Sequence, residues 1–343
     1  MKSTYIFGAA TIALALSFSG CGSDSGRLSA QEGPPRLRLG HFPNVTHAPA
    51  LVGLSEGIVA KEIGDDARLE VKVFNAGPAA MEALLAGEID LCYVGPSPAI
   101  NTFLKSNGEA LRVVSGVCSG GASLVGTATS GIRSVKDLAG KKVATPQLGN
   151  TQDVSLRYFL NQAGLKTKDK GGEVEVLPAQ NPDILQLFLT NKIDAAWVPE
   201  PWATRIVQET GAVRAIDERD LWPNRQFTTT VLIARTEYMK RHPELVEAVA
   251  RANAEAIAWV RDHPEKAKAA TNNELRRLTG KPLPDALLDE SWECMEFTTE
   301  PNQASLKAFM RAAAEAGYLR NQAQNLDGLV DLSALKSAKK VAP

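Results

Sequence analysis

The sequence predicts an α/β protein made of two lobes, each with a mostly parallel sheet between helices. From Arg36 onward, short apolar runs alternate with helical patterns in the order strand, helix, strand, helix, strand, which is typical of parallel sheets. The same pattern recurs 104 residues later, as a second similar lobe would require. Two further strand-like stretches link the halves, so we expect a hinge of two crossing segments.

The composition narrows the class of protein. Of the 343 residues, 44% are hydrophobic and 22% are charged, which suits two folded domains rather than a disordered chain. The 38 basic and 39 acidic residues nearly cancel, so the basic excess of a nucleic-acid-binding protein is missing. After the first twenty residues no apolar run is long enough to span a bilayer, and four cysteines do not make a disulfide-rich scaffold.

The N-terminus predicts export. A positive charge at Lys2 precedes an apolar stretch from Ile6 to Phe18, which indicates a signal peptide over residues 1–20. The small residues before Cys21 resemble the lipobox of bacterial lipoproteins, in which the cysteine is lipidated, although Phe18 is unusual at its position. The alternative is that cleavage falls elsewhere and Cys21 is incidental.

The segment 21–35 is rich in Ser, Gly and Gln and shows no apolar period, as in a flexible tether. Acyl chains on Cys21 would hold the folded body at a membrane surface. We therefore expect a chain secreted across the cytoplasmic membrane, as a periplasmic or cell-surface lipoprotein.

The first lobe begins with clearly patterned elements. The stretch 69–74 alternates apolar and other residues as a strand does, whereas 48–63 has helical spacing. The predicted strands are 37–40, 69–74 and 91–94, and the predicted helices are 48–63 and 78–86. Further on, Pro243 and Pro264 each precede a glutamate, which is typical of the first turn of a helix.

The second lobe repeats the first at the same spacing. Pro78, Leu85, Ile89, Asp90, Val94 and Ala99 align with Pro182, Leu189, Ile193, Asp194, Val198 and Ala203, and Leu39 aligns with Val143. The crossings are predicted at 111–128, which glycines interrupt, and at 228–234. Because we expect the C-terminal helices to complete the first lobe, lobe I is predicted at 36–127 and 232–343, and lobe II at 128–231.

A ligand site is expected in the cleft, because open α/β sheets bind ligands at the carboxyl ends of their strands. The loops at these ends carry amides, hydroxyls, glycines and prolines, but neither Lys nor Arg. Helix starts present free N–H groups and about half a positive charge each, so they can hold a small oxyanion without a cation. Asn75, Asn150 and Asn181 are also suitable helix caps. The candidate ligand-binding residues are Asn44, His47, Asn75, Gly77, Ser97, Asn150, Thr151, Gln152, Asn181, Glu200, Trp202 and Thr229.

Two of these candidates have more than one possible role. Trp202 either covers an apolar ligand tail or packs in the core of its lobe. Glu200 would repel an anion, so it needs a cationic partner. The favoured partner is a nearby arginine, Arg157 or Arg205, and the alternative is an ammonium group on the ligand.

The sequence contains no pattern that predicts catalysis or metal binding. His41 and His47 are six residues apart, a spacing that no common metal motif uses. There is no Gly-rich nucleotide loop and no Gly-x-Ser-x-Gly elbow, and the cleft loops hold no cysteine nucleophile. We therefore expect neither an enzyme nor a cofactor nor a metal. Among Cys92, Cys118 and Cys294, a bridge between the first two is one alternative, and buried free thiols are the favoured one.

Four stretches resemble a known family: 44–50 (NVTHAPA), 137–144 (DLAGKKVA), 149–154 (GNTQDV) and 200–202 (EPW). They are similar to substrate-binding proteins of ABC importers, in the branch that handles nitrate, taurine and aliphatic sulfonates. The resemblance implies a periplasmic-binding-protein fold of the second type, and a monomer that delivers its ligand to a membrane permease driven by a separate ATPase. It also implies that the cleft is lined by Asn44, Gly77, Ser97, Asn150, Thr151 and Trp202.

The expected ligand is a small organosulfonate anion, either an alkanesulfonate or a taurine-like compound. Nitrate and bicarbonate binders tend to use charged cleft residues, for which these loops show no clear counterpart. The alternatives are nitrate or bicarbonate, and a pyrimidine-type aromatic ring on which Phe42, Trp197 or Trp202 could stack.

Overall fold

The computed structural model of the protein describes residues 33–319 and 325–336. The predicted signal peptide over 1–20, the lipid attachment at Cys21 and most of the tether over 21–35 lie outside these residues and remain predictions. Within the described ranges, no helix is long and apolar enough to cross a membrane.

Over the described residues, the first sheet has six strands. In spatial order they are β11 (Met295–Phe297), β4 (Leu111–Gly120), β10 (Thr228–Arg235), β3 (Leu91–Val94), β1 (Arg36–His41) and β2 (Arg68–Val73). β1 runs parallel to β2 and β3, as their helical connections require. β10 is antiparallel to both β3 and β4.

The second sheet, counted over the same part of the chain, has five strands. They are β7 (Glu175–Pro178), β6 (Lys142–Thr145), β8 (Ala195–Pro199), β5 (Ala122–Gly126) and β9 (Val213–Asp217). β6 runs parallel to β7 and β8, and β5 is antiparallel to β8 and β9. Each sheet thus combines a parallel half with an antiparallel strand that arrives directly from the other sheet. This arrangement confirms the predicted α/β fold class with two lobes.

One hydrogen-bond pattern occurs in both sheets at positions 104 residues apart. In the first sheet the Arg38 N–H donates to Asp90 Oδ2 at 3.0 Å, and the Asp90 N–H donates to the Arg38 carbonyl at 2.8 Å. In the second sheet the Lys142 N–H donates to Asp194 Oδ2 at 2.7 Å, and the Asp194 N–H donates to the Lys142 carbonyl at 2.9 Å. A carboxylate before the third strand therefore holds the first strand in the same way in each lobe, which confirms the repeat.

The chain crosses between the sheets at β4–β5 and at β9–β10. β4 ends at Gly120 and Gly121 separates it from β5, and the φ angles of these two residues, 80° and 75°, lie in the region that favours glycine. The predicted lobe boundary after residue 127 falls just beyond β5, and the one after residue 231 falls within β10. The lobe limits themselves remain a prediction.

Helices cover the faces of both sheets. They are α1 (Ala48–Ser55), α2 (Ile58–Ile63), α3 (Gly77–Leu85), α4 (Pro96–Lys105), α5 (Thr151–Gln162), α6 (Asn181–Leu189), α7 (Trp202–Thr210), α8 (Thr236–Arg241), α9 (Pro243–Asp262), α10 (Pro264–Thr279), α11 (Asp285–Glu293) and α12 (Gln303–Ala316). The single helix predicted over 48–63 is interrupted before α2 at Gly57, which has a φ of 70°. Pro243 and Pro264 begin α9 and α10, as predicted.

The C-terminal helices contact the second lobe as well as the first, which the sequence did not predict. α9 packs on α1 and α2, and α10 packs on α1. Beyond them, Ser291 on α11 donates to Glu200 at 3.3 Å, and Tyr318 after α12 donates to Asp153 on α5. The C-terminal part therefore bridges the two sheets on the outside of the cleft.

Candidate functional site

A small space, which we call the inner cavity, lies between the sheets where β1, β3, β6 and β8 end. The centre of a water molecule can occupy about 30 Å³ of this space. One buried water needs roughly 10–15 Å³ on the same measure. A ligand of several atoms therefore fits. Nine of the twelve predicted residues line it: Asn44, His47, Asn75, Gly77, Asn150, Thr151, Gln152, Asn181 and Thr229.

Five of the described helices begin at this cavity, among them α1, which begins directly after the lining residue His47. α3, α5 and α6 begin at the lining residues Gly77, Thr151 and Asn181, and α4 begins directly after the lining residue Gly95. Each helix start contributes free N–H groups and positive potential. Among the described residues that line the cavity, none is Asp, Glu, Lys or Arg. The helix starts are therefore its main source of positive potential.

Two buried polar atoms of the cavity wall, Thr151 Oγ1 and Asn181 Oδ1, have no hydrogen-bond partner among the described residues. Buried polar groups are nearly always hydrogen-bonded, so both side chains are suited to a polar ligand. The Thr151 hydroxyl can donate, and the Asn181 amide can donate after its oxygen and nitrogen exchange places by rotation.

The three asparagines considered as helix caps have different roles. Asn150 caps α5, because its Oδ1 accepts from the Asp153 N–H at 2.8 Å. Asn75 and Asn181 make no cap bond. Asn75 Nδ2 instead donates to Gln180 Oε1 at 2.9 Å. Two of the three amides are thus available to the cleft rather than to a helix start.

His47 and Thr229 line the cavity, but protein contacts hold both. The His47 ring stacks on Phe42 with 4.6 Å between centroids, and its Nδ1 accepts from the Phe42 N–H at 3.4 Å. Burial lowers the pKa of His47 well below its usual value, so the ring is neutral at neutral pH. The Thr229 hydroxyl donates to the Gly120 carbonyl at the first crossing, so its hydrogen is not available to a ligand.

Glu200 is fully buried and does not line the inner cavity, contrary to prediction. Its carboxylate accepts from Arg214 Nη1 at 2.7 Å and from the Thr204 N–H at 3.1 Å. The favoured internal ion pair is present, but its partner on β9 was not predicted. Arg157 and Arg205 each pair with an acid four residues away on their own helix.

Ser97 and Trp202 do not line the inner cavity either. Ser97 is fully buried within α4. Trp202 lines an adjoining space, which we call the outer chamber and which offers about 500 Å³ on the same measure. Its Nε1 donates to Asn44 Oδ1 at 3.2 Å, and the Arg205 guanidinium lies 5.2 Å from its ring centroid.

Sequence reasoning missed several wall residues. Thr46 and Gly95 lie in the loops that were identified, so their position in the chain was the available signal. Pro146 directly follows β6, and strand ends are poorly defined by sequence. Thr230 on β10 donates to the Thr46 carbonyl at 3.1 Å, a contact between distant segments that no local pattern predicts.

The lobes touch across the inner cavity. The Trp202–Asn44 and Asn75–Gln180 hydrogen bonds each join a residue of the first lobe to one of the second. Gly95 also approaches Thr151 so closely that a Cβ at this position would overlap Thr151 Oγ1. The cleft is thus closed in this structure.

The remaining reactive side chains lie away from the cavity. Cys92, Cys118 and Cys294 are buried free thiols, which confirms the favoured interpretation. Burial raises the pKa of Cys294 to about 12 and also raises the pKa of the other two thiols, so thiolates are disfavoured. In the part of the chain that the structure describes, no group of three or more His, Cys, Asp or Glu could hold a metal ion.

Comparison with known proteins identifies relatives. A sequence profile of the NMT1-like family matches residues 30–273. The chain is 30% identical over 241 residues to a Brucella abortus protein named only as a binding protein, covering 70% of this chain and 72% of that protein. It is 27% identical over 239 residues to the taurine-binding periplasmic protein of Escherichia coli, covering 69% and 71%.

Solved structures confirm the predicted periplasmic-binding-protein fold. The alkanesulfonate-binding protein SsuA from Xanthomonas axonopodis pv. citri, bound to MOPS, matches with a TM-score of 0.71 at 19% identity, over 87% of this chain and 99% of that one. The nitrate-binding protein NrtA from Synechocystis PCC 6803 matches with a TM-score of 0.75 at 16% identity, over 90% and 89%. The chain therefore belongs to the NMT1-like family and is a solute-binding component of the ABC importer type, not an enzyme, as the sequence predicted.

Proposed function

We propose that this solute-binding protein captures a small organosulfonate anion between its lobes and delivers it to an ABC permease driven by a separate ATPase. The observation that carries the proposal is the inner cavity, where neutral amides and hydroxyls surround five helix starts. Such a wall favours an anion, because the helix starts supply both N–H donors and positive potential. Relatives named for taurine and alkanesulfonates support the same ligand class.

Three side chains are the proposed donors to the sulfonate oxygens. Thr151 and Asn181 carry buried polar atoms that have no partner among the residues the structure describes. Gln152 accepts from Asn150 through Oε1 at 3.3 Å, which leaves its amide nitrogen to donate. The Gly77 N–H at the start of α3 completes the proposed set, whereas Pro78, which follows it, has no N–H to donate.

The aromatic alternative has less support than the sulfonate. Trp197 is fully buried and donates to Glu218 at 2.6 Å, and Phe42 is stacked on His47. The Trp197 ring is therefore not free to stack on a pyrimidine, and one face of the Phe42 ring is already occupied. A sulfonate also remains ionised across the physiological pH range, so neutral donors can hold it without any proton exchange.

We also propose that the protein acts as a monomer outside the cytoplasmic membrane, held by lipid on Cys21. The N-terminal sequence supports this location, and relatives of the chain are named as periplasmic proteins. Labelling of the expressed protein with a fatty-acid analogue, compared with Cys21→Ser, tests the anchor. Equal labelling of both proteins would contradict it.

Calorimetric titration and thermal melting of the mature chain test the ligand class. The probes are ethanesulfonate, taurine, nitrate, bicarbonate and uracil. We expect a sulfonate to bind, and at 100 times its Kd to add about 2.7 kcal/mol to the free energy of unfolding. Binding of nitrate or uracil with no response to any sulfonate would overturn the proposed ligand while leaving the family assignment intact.

A further inference from the structure

We infer that the ligand carries an apolar tail of several carbons beyond its sulfonate, and that the outer chamber holds this tail. The inference rests on the proposed function, because a sulfonate must occupy the inner cavity for its tail to reach the chamber. The proposed function places longer-chain sulfonates and taurine in one ligand class. An apolar tail in the outer chamber would favour the longer-chain sulfonates over taurine.

The two spaces are neighbours. Asn44, Asn75 and Asn181 line both the inner cavity and the outer chamber, so these side chains form their shared wall. The inner cavity accommodates a head group, whereas the chamber is many times larger, about 500 Å³ against 30 Å³. A group that extends from the head past the asparagines therefore enters the chamber directly.

The far wall of the chamber is largely apolar. Trp202 lines the chamber together with Leu275, Leu278 and Leu283, which come from the end of α10 and the loop before α11. Five prolines add further carbon surface. Burial of ligand carbon against such a surface is favourable in proportion to the area removed from water.

Asn75 is the proposed point of passage between the spaces. Its side chain is exposed, and so is its hydrogen bond to Gln180. Exchange of an exposed hydrogen bond for one with water costs little free energy. The Asn75 side chain can therefore rotate away from Gln180 when a ligand tail is bound. Asn44 and Asn181 are buried and are expected to stay in place.

The charges around the site favour an apolar tail over an ammonium group. Among the described residues that line the two spaces, one is acidic, Glu209. Its carboxylate already pairs with Arg205 at 2.5 Å. Glu200, beside the site in sequence, pairs with Arg214. A taurine ammonium would therefore lack an unpaired carboxylate partner.

A chain-length series tests the inference. The affinities of methane-, butane-, hexane- and octanesulfonate, and of taurine, are measured by calorimetry on the mature chain. We expect each added methylene to tighten binding about fourfold until the chamber is filled. We also expect taurine to bind more weakly than butanesulfonate.

A chamber-filling variant locates the tail. Val73 lines the chamber on β2 and is 45% exposed, so Val73→Trp is expected to fold and to occupy the chamber. Methanesulfonate affinity should stay within twofold, whereas the gain with chain length should disappear. The matched control is Val213→Trp, which changes an exposed valine of β9 that does not line the chamber.

The outcomes separate the two proposals. Equal affinity for methanesulfonate and octanesulfonate in the wild-type protein would overturn the tail while leaving the sulfonate proposal standing. Unchanged octanesulfonate binding by Val73→Trp would overturn the location of the tail. Absence of binding by every sulfonate would overturn the proposed function itself.

Discussion

Thr151 and Thr229 both line the inner cavity, but their hydroxyl groups are used differently. Thr151 Oγ1 has no partner among the described residues, whereas the Thr229 hydroxyl donates to the Gly120 carbonyl. The first group is available to a ligand, and the second ties β10 to the crossing after β4. Binding and stability should therefore respond to different threonines.

We expect Thr151→Val to weaken ethanesulfonate binding about tenfold, since a hydrogen bond to a charged group contributes about 1.5 kcal/mol. Its thermal stability without ligand should be unchanged. Thr229→Val is the matched comparison, and we expect it to lower the free energy of unfolding by about 1 kcal/mol. Calorimetry and urea unfolding of both variants decide the matter. Wild-type affinity in Thr151→Val would contradict its proposed role.

Equivalent strands of the two lobes share a carboxylate contact, but their charged surroundings differ. Asp90 is fully buried and accepts from Arg38 and Arg235, each at 2.8 Å, in addition to the backbone bond. Asp194 is half-buried and accepts a hydrogen bond from the Lys142 N–H. The same position in the repeat therefore contributes differently to stability.

We expect Asp90→Asn to lower the free energy of unfolding by about 3 kcal/mol, because two arginines lose their buried counter-charge. Asp194→Asn should cost about 1 kcal/mol. Urea unfolding of both variants measures the difference. Equal losses would show that the arginines contribute nothing beyond the shared backbone contact.

The crossing from β9 to β10 contains a buried carboxyl group, Glu218. It accepts from Ser155 at 2.7 Å, from Trp197 Nε1 at 2.6 Å and from Trp222 Nε1 at 3.2 Å. Burial raises its pKa to about 7, although these hydrogen bonds oppose the rise. The folded protein thus binds a proton here more tightly than the unfolded chain does.

Between about pH 4.5 and 7, this group makes the free energy of unfolding fall as pH rises, by on the order of 3 kcal/mol in total. Glu218→Gln removes the titrating group, so between pH 5 and pH 8 the wild type should lose stability relative to the variant by a similar amount. Denaturant unfolding at both pH values tests this. A difference that does not change with pH would contradict the assignment.

Closure of the whole molecule depends on close approach of the lobes at Gly95. A Cβ there would overlap Thr151 Oγ1 across the cleft, so Gly95→Ala should hold the lobes apart. We expect it to fold normally and to bind ethanesulfonate at least tenfold more weakly, a loss of about 1.4 kcal/mol. Addition of Thr151→Ala removes the overlapping atom and should restore compaction.

Small-angle scattering and calorimetry check this prediction. The wild-type protein should become more compact with saturating ethanesulfonate, and Gly95→Ala should not. Normal affinity together with normal compaction in Gly95→Ala would show that closure tolerates a methyl group at this contact.

Local patterns in the sequence were enough to predict the two α/β lobes, the repeat and the absence of Lys and Arg from the loops of the cleft. Alternation, helical spacing and proline positions report on a few residues at a time, and the ends of parallel strands meet in any fold of this class. Nine of the twelve predicted residues therefore line one cavity.

Contacts between distant segments were decided by tertiary structure alone. Glu200 pairs with Arg214 because β9 lies only one strand away from β8, across β5, although Arg205 is nearer in sequence. The helical spacing of α11 and α12 gives no sign that they reach the second lobe. Trp202 lines the outer chamber together with residues from the end of α10 and the loop before α11, which are distant from it in sequence. Hydrogen-bond and packing partners depend on which segments adjoin in space, and spacing along one chain does not encode that.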